Sequence, residues 1–133
     1  MKEELITFET SKLAYEKGYT REVVGISFSS TRRNYYNTKG ELNGDCIDFI
    51  KDVIKYGREK AKVKHIIYPA TSQSLLQKWL RDEKDILIYV GPRSHHIFQY
   101  HIITDDNEII GSERLNNWEK TLEKGLQEAL KLI

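Results

Sequence analysis

The chain has 133 residues, long enough for one domain with a real hydrophobic core and no need of disulfide or metal staples. Its 21 Lys and Arg stand against 20 Asp and Glu, a formal charge of +1, whereas a dedicated binder of bulk nucleic acid carries a clear basic excess. Cys46 is the only cysteine, which excludes an intramolecular disulfide and a thiolate metal cluster.

In chain order, the opening Met1-Lys2-Glu3-Glu4 is acidic and has no apolar run behind it, so no signal peptide is expected. No stretch approaches the ~20 apolar residues of a membrane span, and a reducing cytoplasm is the expected location. A first helix is predicted from about Phe8 to Lys17, ended by Gly18. Val23 to Phe28 reads as a strand, and the polar stretch Ser29 to Asn43 as a loop or an edge hairpin. A second, amphipathic helix follows Asn43-Gly44-Asp45, with Cys46, Ile47, Ile50, Val53, Ile54 and Gly57 on one stripe. Asp45 and Asp48 in its first turn and Lys55 and Arg58 in its last suit the helix dipole.

Val63 to Tyr68 is a further strand candidate. A third helix follows Pro69-Ala70, capped by Thr71 or Ser72, with Leu75, Leu76, Trp79 and Leu80 facing inward. Asp85 to Val90 and His96 to Thr104 are rich in β-branched and aromatic residues and flank the polar hairpin loop Gly91–His95. Asp105-Asp106-Asn107 turns the chain into a third strand, Glu108 to Gly111. The final helix carries Trp118, Leu122, Gly125, Leu126, Ala129, Leu130 and Ile133 on its apolar stripe, with Asn116 and Glu119 as a capping box. The expected fold is a single α+β domain over residues 1–133. Its core is helix, antiparallel three-stranded meander and helix over residues 71–133, preceded by an N-terminal helix, one or more strands and the second amphipathic helix.

The segment Tyr68-Pro-Ala-Thr-Ser-Gln-Ser-Leu-Leu-Gln-Lys-Trp-Leu-Arg81 is the most distinctive in the chain. With Thr7-Phe-Glu-Thr-Ser-Lys-Leu-Ala14, Ile86-Leu-Ile88 and Leu126-Gln-Glu-Ala-Leu-Lys-Leu-Ile133, it resembles a family of small uncharacterised proteins carried by phages, prophages and other mobile elements of Bacteroidetes-type bacteria. The resemblance implies a genomic setting and the cytoplasm of a bacterial host, and it brings no established activity. Its matching positions read as fold-forming: Leu75, Leu76, Trp79 and Leu80 are a helix stripe.

No motif specifies catalysis. There is no Gly-x-Ser-x-Gly elbow and no phosphate loop, and the paired Asp105-Asp106 sits where a turn favours aspartate. On a regular strand His95 and His101 would share one face about 20 Å apart, too far for one metal ion, with His96 on the other face. A site assembled from His96, Tyr100 and His101 is a third reading, behind the two binding readings. The strongest surface candidate is Thr31-Arg-Arg-Asn-Tyr-Tyr-Asn-Thr-Lys39, where Arg offers forked donors and Tyr a flat stacking face. Residues 51–64 hold six basic residues against two acidic, and Lys60, Lys62 and Lys64 alternate as on one strand face. A solvated edge strand guarded by lysines, with half-buried tyrosines in the preceding loop, is the structural reading of the same residues.

The helix–meander–helix order is similar to that of double-stranded RNA-binding domains. Their last helix opens on a basic cluster, where this one opens Asn116-Asn-Trp-Glu-Lys-Thr. The expectation is therefore a non-enzymatic phage or mobile-element accessory protein that binds a host protein partner, with inhibition of a host defence nuclease as one such role. The alternative is a small nucleic-acid-binding module. Candidate binding residues are Arg32, Arg33, Tyr35, Tyr36, Lys60, Lys62, Lys64 and Arg93, with no metal, no cofactor and no membrane; self-association through a meander edge or the tyrosine-rich loop is left open.

Overall fold

In the computed structural model, residues 4–19, 35–42, 51–52, 54–57, 60 and 68–133 are described. Helix α1 (Phe8–Glu16) begins at Thr7, whose extended backbone frees its hydroxyl to accept from Thr10 N–H at 3.3 Å. It ends in a Schellman arrangement: Gly18 at φ +97° donates to the Tyr15 carbonyl, and Tyr19 N–H reaches Ala14 O at 2.9 Å. The chain before α1 lies antiparallel to the segment ahead of the next named helix, through Ile6 N–H to Thr71 O and Gln73 N–H to Glu4 O.

Strands β1 (Tyr35–Tyr36) and β2 (Tyr68–Pro69) pair antiparallel, and a bridge from Tyr36 to Leu42 closes a hairpin in the part of Ser29–Asn43 that is described, a segment expected as a loop or an edge hairpin. Its turn is organised by Asn37, whose Oδ1 accepts from Lys39 N–H and Glu41 N–H, both at 2.9 Å. Residues 51, 52, 54–56 and 60 are helical, within and just beyond the predicted second helix. Ile54 is 65% exposed, so the predicted stripe does not bury it. Cys46, Ile47, Ile50, Val53 and the strand candidate Val23–Phe28 lie outside the described residues, as does Val63–Tyr68 apart from Tyr68 itself.

Helix α2 (Gln73–Lys84) is capped by Ser72, which accepts from Leu75 N–H at 3.3 Å. Leu76 and Leu80, one turn apart, are fully buried, and Trp79 packs at the core edge. Leu75 departs from the expectation: it sits one residue off that row and is exposed. Strands β3 (Leu87–Ser94), β4 (Ile97–Ile103) and β5 (Glu108–Ile110) form the antiparallel meander in the order β3-β4-β5. The predicted loop Gly91–His95 is mostly strand. Gly91 and Pro92 pair with Gln99 and Phe98, Arg93 is the extra residue of a bulge, and the turn is His95–His96, with His96 at φ +67°. Proline is tolerated there because, among the described residues, β3 is an edge strand: Phe98, its partner, sends its own N–H away from β3 to Leu115 O, so the Pro92 nitrogen faces away from β4.

Helix α3 (Trp118–Lys131) covers one face of this sheet. Its cap is Asn117, not Asn116: Asn117 Oδ1 accepts from Lys120 N–H at 2.9 Å, so Glu119 falls one position short of closing a capping box. Leu122, Leu126, Ala129 and Leu130 pack with Ile88, Val90, Tyr100 and Ile102 in the core. Gly125 lets the helix approach Tyr100, since a β-carbon there would lie 2.9 Å from Tyr100 Cβ. Trp118 and Ile133, placed on the stripe by spacing, are exposed, with Trp118 edge-on to Phe98 at 5.8 Å. Thr121, which the stripe omits, is fully buried, and its hydroxyl donates to Asn117 O at 2.7 Å.

Candidate functional site

A three-stranded sheet with helices on one side leaves its other face in need of an explanation. Leading into and along β3 the sequence Ile86-Leu-Ile-Tyr-Val90 is continuously apolar, whereas an antiparallel strand with one solvated face alternates apolar and polar residues. The alternation appears instead in burial. Ile88 and Val90 face the core, while Leu87 is 42% and Tyr89 40% exposed. The register sets Leu87 beside Ile103 and Glu108, Tyr89 beside His101 and Ile110, and Gly91 beside Gln99. These residues share the face turned away from α3.

The centre of that face is ordered. The Tyr89 and His101 rings stack with centroids 4.5 Å apart and planes within 3°. His101 Nδ1 lies 3.0 Å from Glu108 Oε1, and its Nε2 lies 3.3 Å from Gln99 Nε2. An amide nitrogen can only donate, so this arrangement is satisfied by the tautomer in which Nδ1–H donates to Glu108 and Nε2 accepts from Gln99. Tyr89 OH donates to the same carboxylate oxygen at 3.4 Å. Partial desolvation, with the charge and hydrogen bond of Glu108, raises the Tyr89 phenol above its ordinary value. Gly91 leaves a notch beside the imidazole: a β-carbon there would be in ordinary contact with His101 Nε2 at 3.7 Å.

The face therefore offers apolar bulk from Leu87, Ile103 and Ile110, one rigid aromatic pair, and a few oriented polar groups. That is the composition of a protein contact surface, where aromatic residues are enriched and unpaired charge is scarce. Tyr100 does not join His101. It lies on the opposite face of β4, buried against Gly111 and Gly125, and His96 is in the turn, so the three residues do not form one site. Among the described residues no group of three or more His, Cys, Asp or Glu could hold a metal ion, and no helix is long and apolar enough to cross a membrane.

A second polar cluster joins the helices. Glu123 Oε2 accepts from Thr7 N–H and Thr7 Oγ1, each at 3.0 Å, and from the Thr10 hydroxyl; its Oε1 accepts from Gln73 Nε2 at 3.0 Å. The carboxylate supplies to α1 what a capping box takes from its own third residue, here Thr10. A cleft of about 310 Å³ lies beside it, lined by Glu4, Thr7, Gln73 and Glu119 among others. With both oxygens engaged by donors, Glu123 reads as a lock between α1, α2 and α3.

The candidate residues from the sequence fall apart spatially. Tyr35 is buried. Tyr36 is half-buried beside Phe8, with ring centroids 5.7 Å apart, and its hydroxyl donates to Ile6 O at 2.7 Å. Burial, and then the Glu123 charge, raise the Tyr36 phenol. Lys60 is exposed, and Arg93 is exposed at the β3 bulge, on a different sheet from the two tyrosines. Arg32, Arg33, Lys62 and Lys64 lie outside the described residues. Sequence reasoning passed over Leu87, Tyr89, Gln99, His101 and Glu108 as a group. The signal that could have found them is the unbroken apolar run in β3, repeated as Ile102-Ile103 and Ile109-Ile110.

The chain matches no protein-family model, and no curated protein or solved structure is similar to it.

Proposed function

We propose that this chain is a non-enzymatic binding protein that docks a protein partner on the open face of the β3-β4-β5 sheet. The observation that carries the reading is the exposure of Leu87, Tyr89 and Ile110 around the ordered Tyr89–His101–Glu108 centre. Exposing these apolar groups to water is unfavourable by roughly 25 cal/mol per Å², and a docked partner recovers that cost. The resemblance to mobile-element proteins supplies the setting: an accessory protein of a phage or mobile element in the cytoplasm of a bacterial host. There, occluding a host protein such as a defence nuclease is the role we assign. The nucleic-acid alternative has less support, because Tyr35 is buried and Tyr36 spends its hydroxyl on Ile6.

The test is retention of a host protein on immobilised chain, compared across three forms. Wild type and the opposite-side control Lys78→Glu are expected to retain the same protein, and Leu87→Lys with Ile110→Lys to lose it. Equal retention by the face variant would remove the sheet from the account.

A further inference from the structure

The two ends of the open face carry opposite charge. At the end where β3 begins and β4 ends stand the exposed Asp85, Asp105 and Asp106. Neighbouring cations there are turned aside: Lys84 lies 5.5 Å from the Trp79 ring centroid, and Arg81 pairs with Asp82. At the opposite end stand Arg93 and Arg114, both exposed, the latter next to Leu115, which bridges Phe98. Glu113, the acid beside them, is drawn to Lys124 on α3 at 3.6 Å. Between the ends the face is largely apolar and aromatic, and its one carboxylate, Glu108 in the Leu87 row, is held by His101.

We infer that, when no foreign partner is bound, this face is covered by a second copy of the chain. A two-fold axis lying in the contact plane and running across the strands reverses each strand over its own counterpart. Every contact is then made twice, as an isologous interface requires. The acidic end of each copy meets the basic end of the other, so Arg114 faces Asp105 and Asp106. Leu87, two residues before the central row, comes over Gly91, two residues after it, and the notch beside His101 receives the leucine side chain. A two-fold axis along the strands would instead set acidic end on acidic end and Leu87 over the second copy's Glu108, and is disfavoured on both counts.

The covered area is small. A sheet about 26 Å long and 14 Å wide gives roughly 700 Å² over both copies. That is below the ~1,000 Å² of a stable interface, so the dimer is weak and a partner of higher affinity displaces it. The inference rests on the docking role proposed for the same face and supplies its resting state.

Sedimentation velocity of the full chain from about 10 µM to 1 mM, at low salt, tests it. The expected result is a reversible monomer–dimer equilibrium, lost in Leu87→Lys. Arg114→Glu alone, or Asp105→Lys with Asp106→Lys, is expected to weaken association about fivefold, and combining all three to restore it. Circular dichroism confirms the fold of each variant, and all the altered side chains are exposed. A monomer throughout this range, or a dimer indifferent to the charge exchange, overturns the inference. A monomeric chain that still loses a host protein on face substitution leaves the docking proposal standing.

Discussion

Replacing Gly125 by alanine sets two magnitudes of opposite sign against each other. In an exposed helix the change stabilises by about 1 kcal/mol, because alanine has the higher helix propensity. Here the new β-carbon would lie 2.9 Å from Tyr100 Cβ, 3.1 Å from Tyr100 Cγ and 3.3 Å from Ile88 Cγ2. Comfortable carbon contacts begin near ~3.5 Å, so each pair overlaps by a few tenths of an ångström. Tyr100 Cβ is fixed to a central strand and cannot rotate away, which forces α3 to lift from the sheet. Overpacking of this kind costs roughly 2–3 kcal/mol, so Gly125→Ala is expected to destabilise by about 1–2 kcal/mol, or roughly 4–8 °C in Tm. Urea unfolding followed by circular dichroism should give a lower midpoint with an unchanged slope. A variant as stable as wild type would refute the close approach of α3 to β4.

Gly111→Ala attacks the same tyrosine from the other side, with a β-carbon 2.3 Å from Tyr100 Cε1, and should destabilise by about 2–3 kcal/mol, read as a lower urea midpoint at unchanged slope. Glu123→Ala removes the acceptor shared by Thr7, Thr10 and Gln73 and should cost about 1–3 kcal/mol, measured in the same way. Tyr100 is raised from 10.0, first by desolvation and then by Glu128 and Glu113, and Tyr36 is raised by burial and Glu123. A raised phenol keeps its proton in the folded state after the unfolded chain has lost it. That contribution is therefore complete below pH 10 and declines as pH rises above it. Absorbance at about 295 nm, the phenolate band, should show a delayed tyrosine fraction that normalises in urea.

Local rules carried much of the fold. Gly18 ends α1 and Ser72 starts α2 because caps depend only on neighbours, and the meander follows from its β-branched runs. The structure departs from the local rules where tertiary context decides between nearly equal local choices. Two asparagines compete to cap α3, and Asn117 takes the role. Gly91-Pro92 reads as a turn, yet an edge strand accommodates it and passes the turn to His95–His96. Leu75 and Trp118 have the right spacing for a core but fall at the flank of their helices' contact faces. The candidate site was the least legible part. Its residues occupy alternate positions on three strands, and only the register puts Tyr89 against His101 and His101 beside Glu108. The basic and tyrosine-rich segment stands out by composition, while Tyr35 and Tyr36 have their rings in the interior and its margin.

The claim that the open sheet face is where this protein meets its partner is tested most directly by position-resolved crosslinking. A benzophenone side chain placed at Tyr89, and in a separate chain at Lys78 on the opposite side, is irradiated in host lysate. The account predicts a discrete covalent adduct with a host protein from position 89 and none from position 78. An adduct from position 78 with none from position 89 would contradict it.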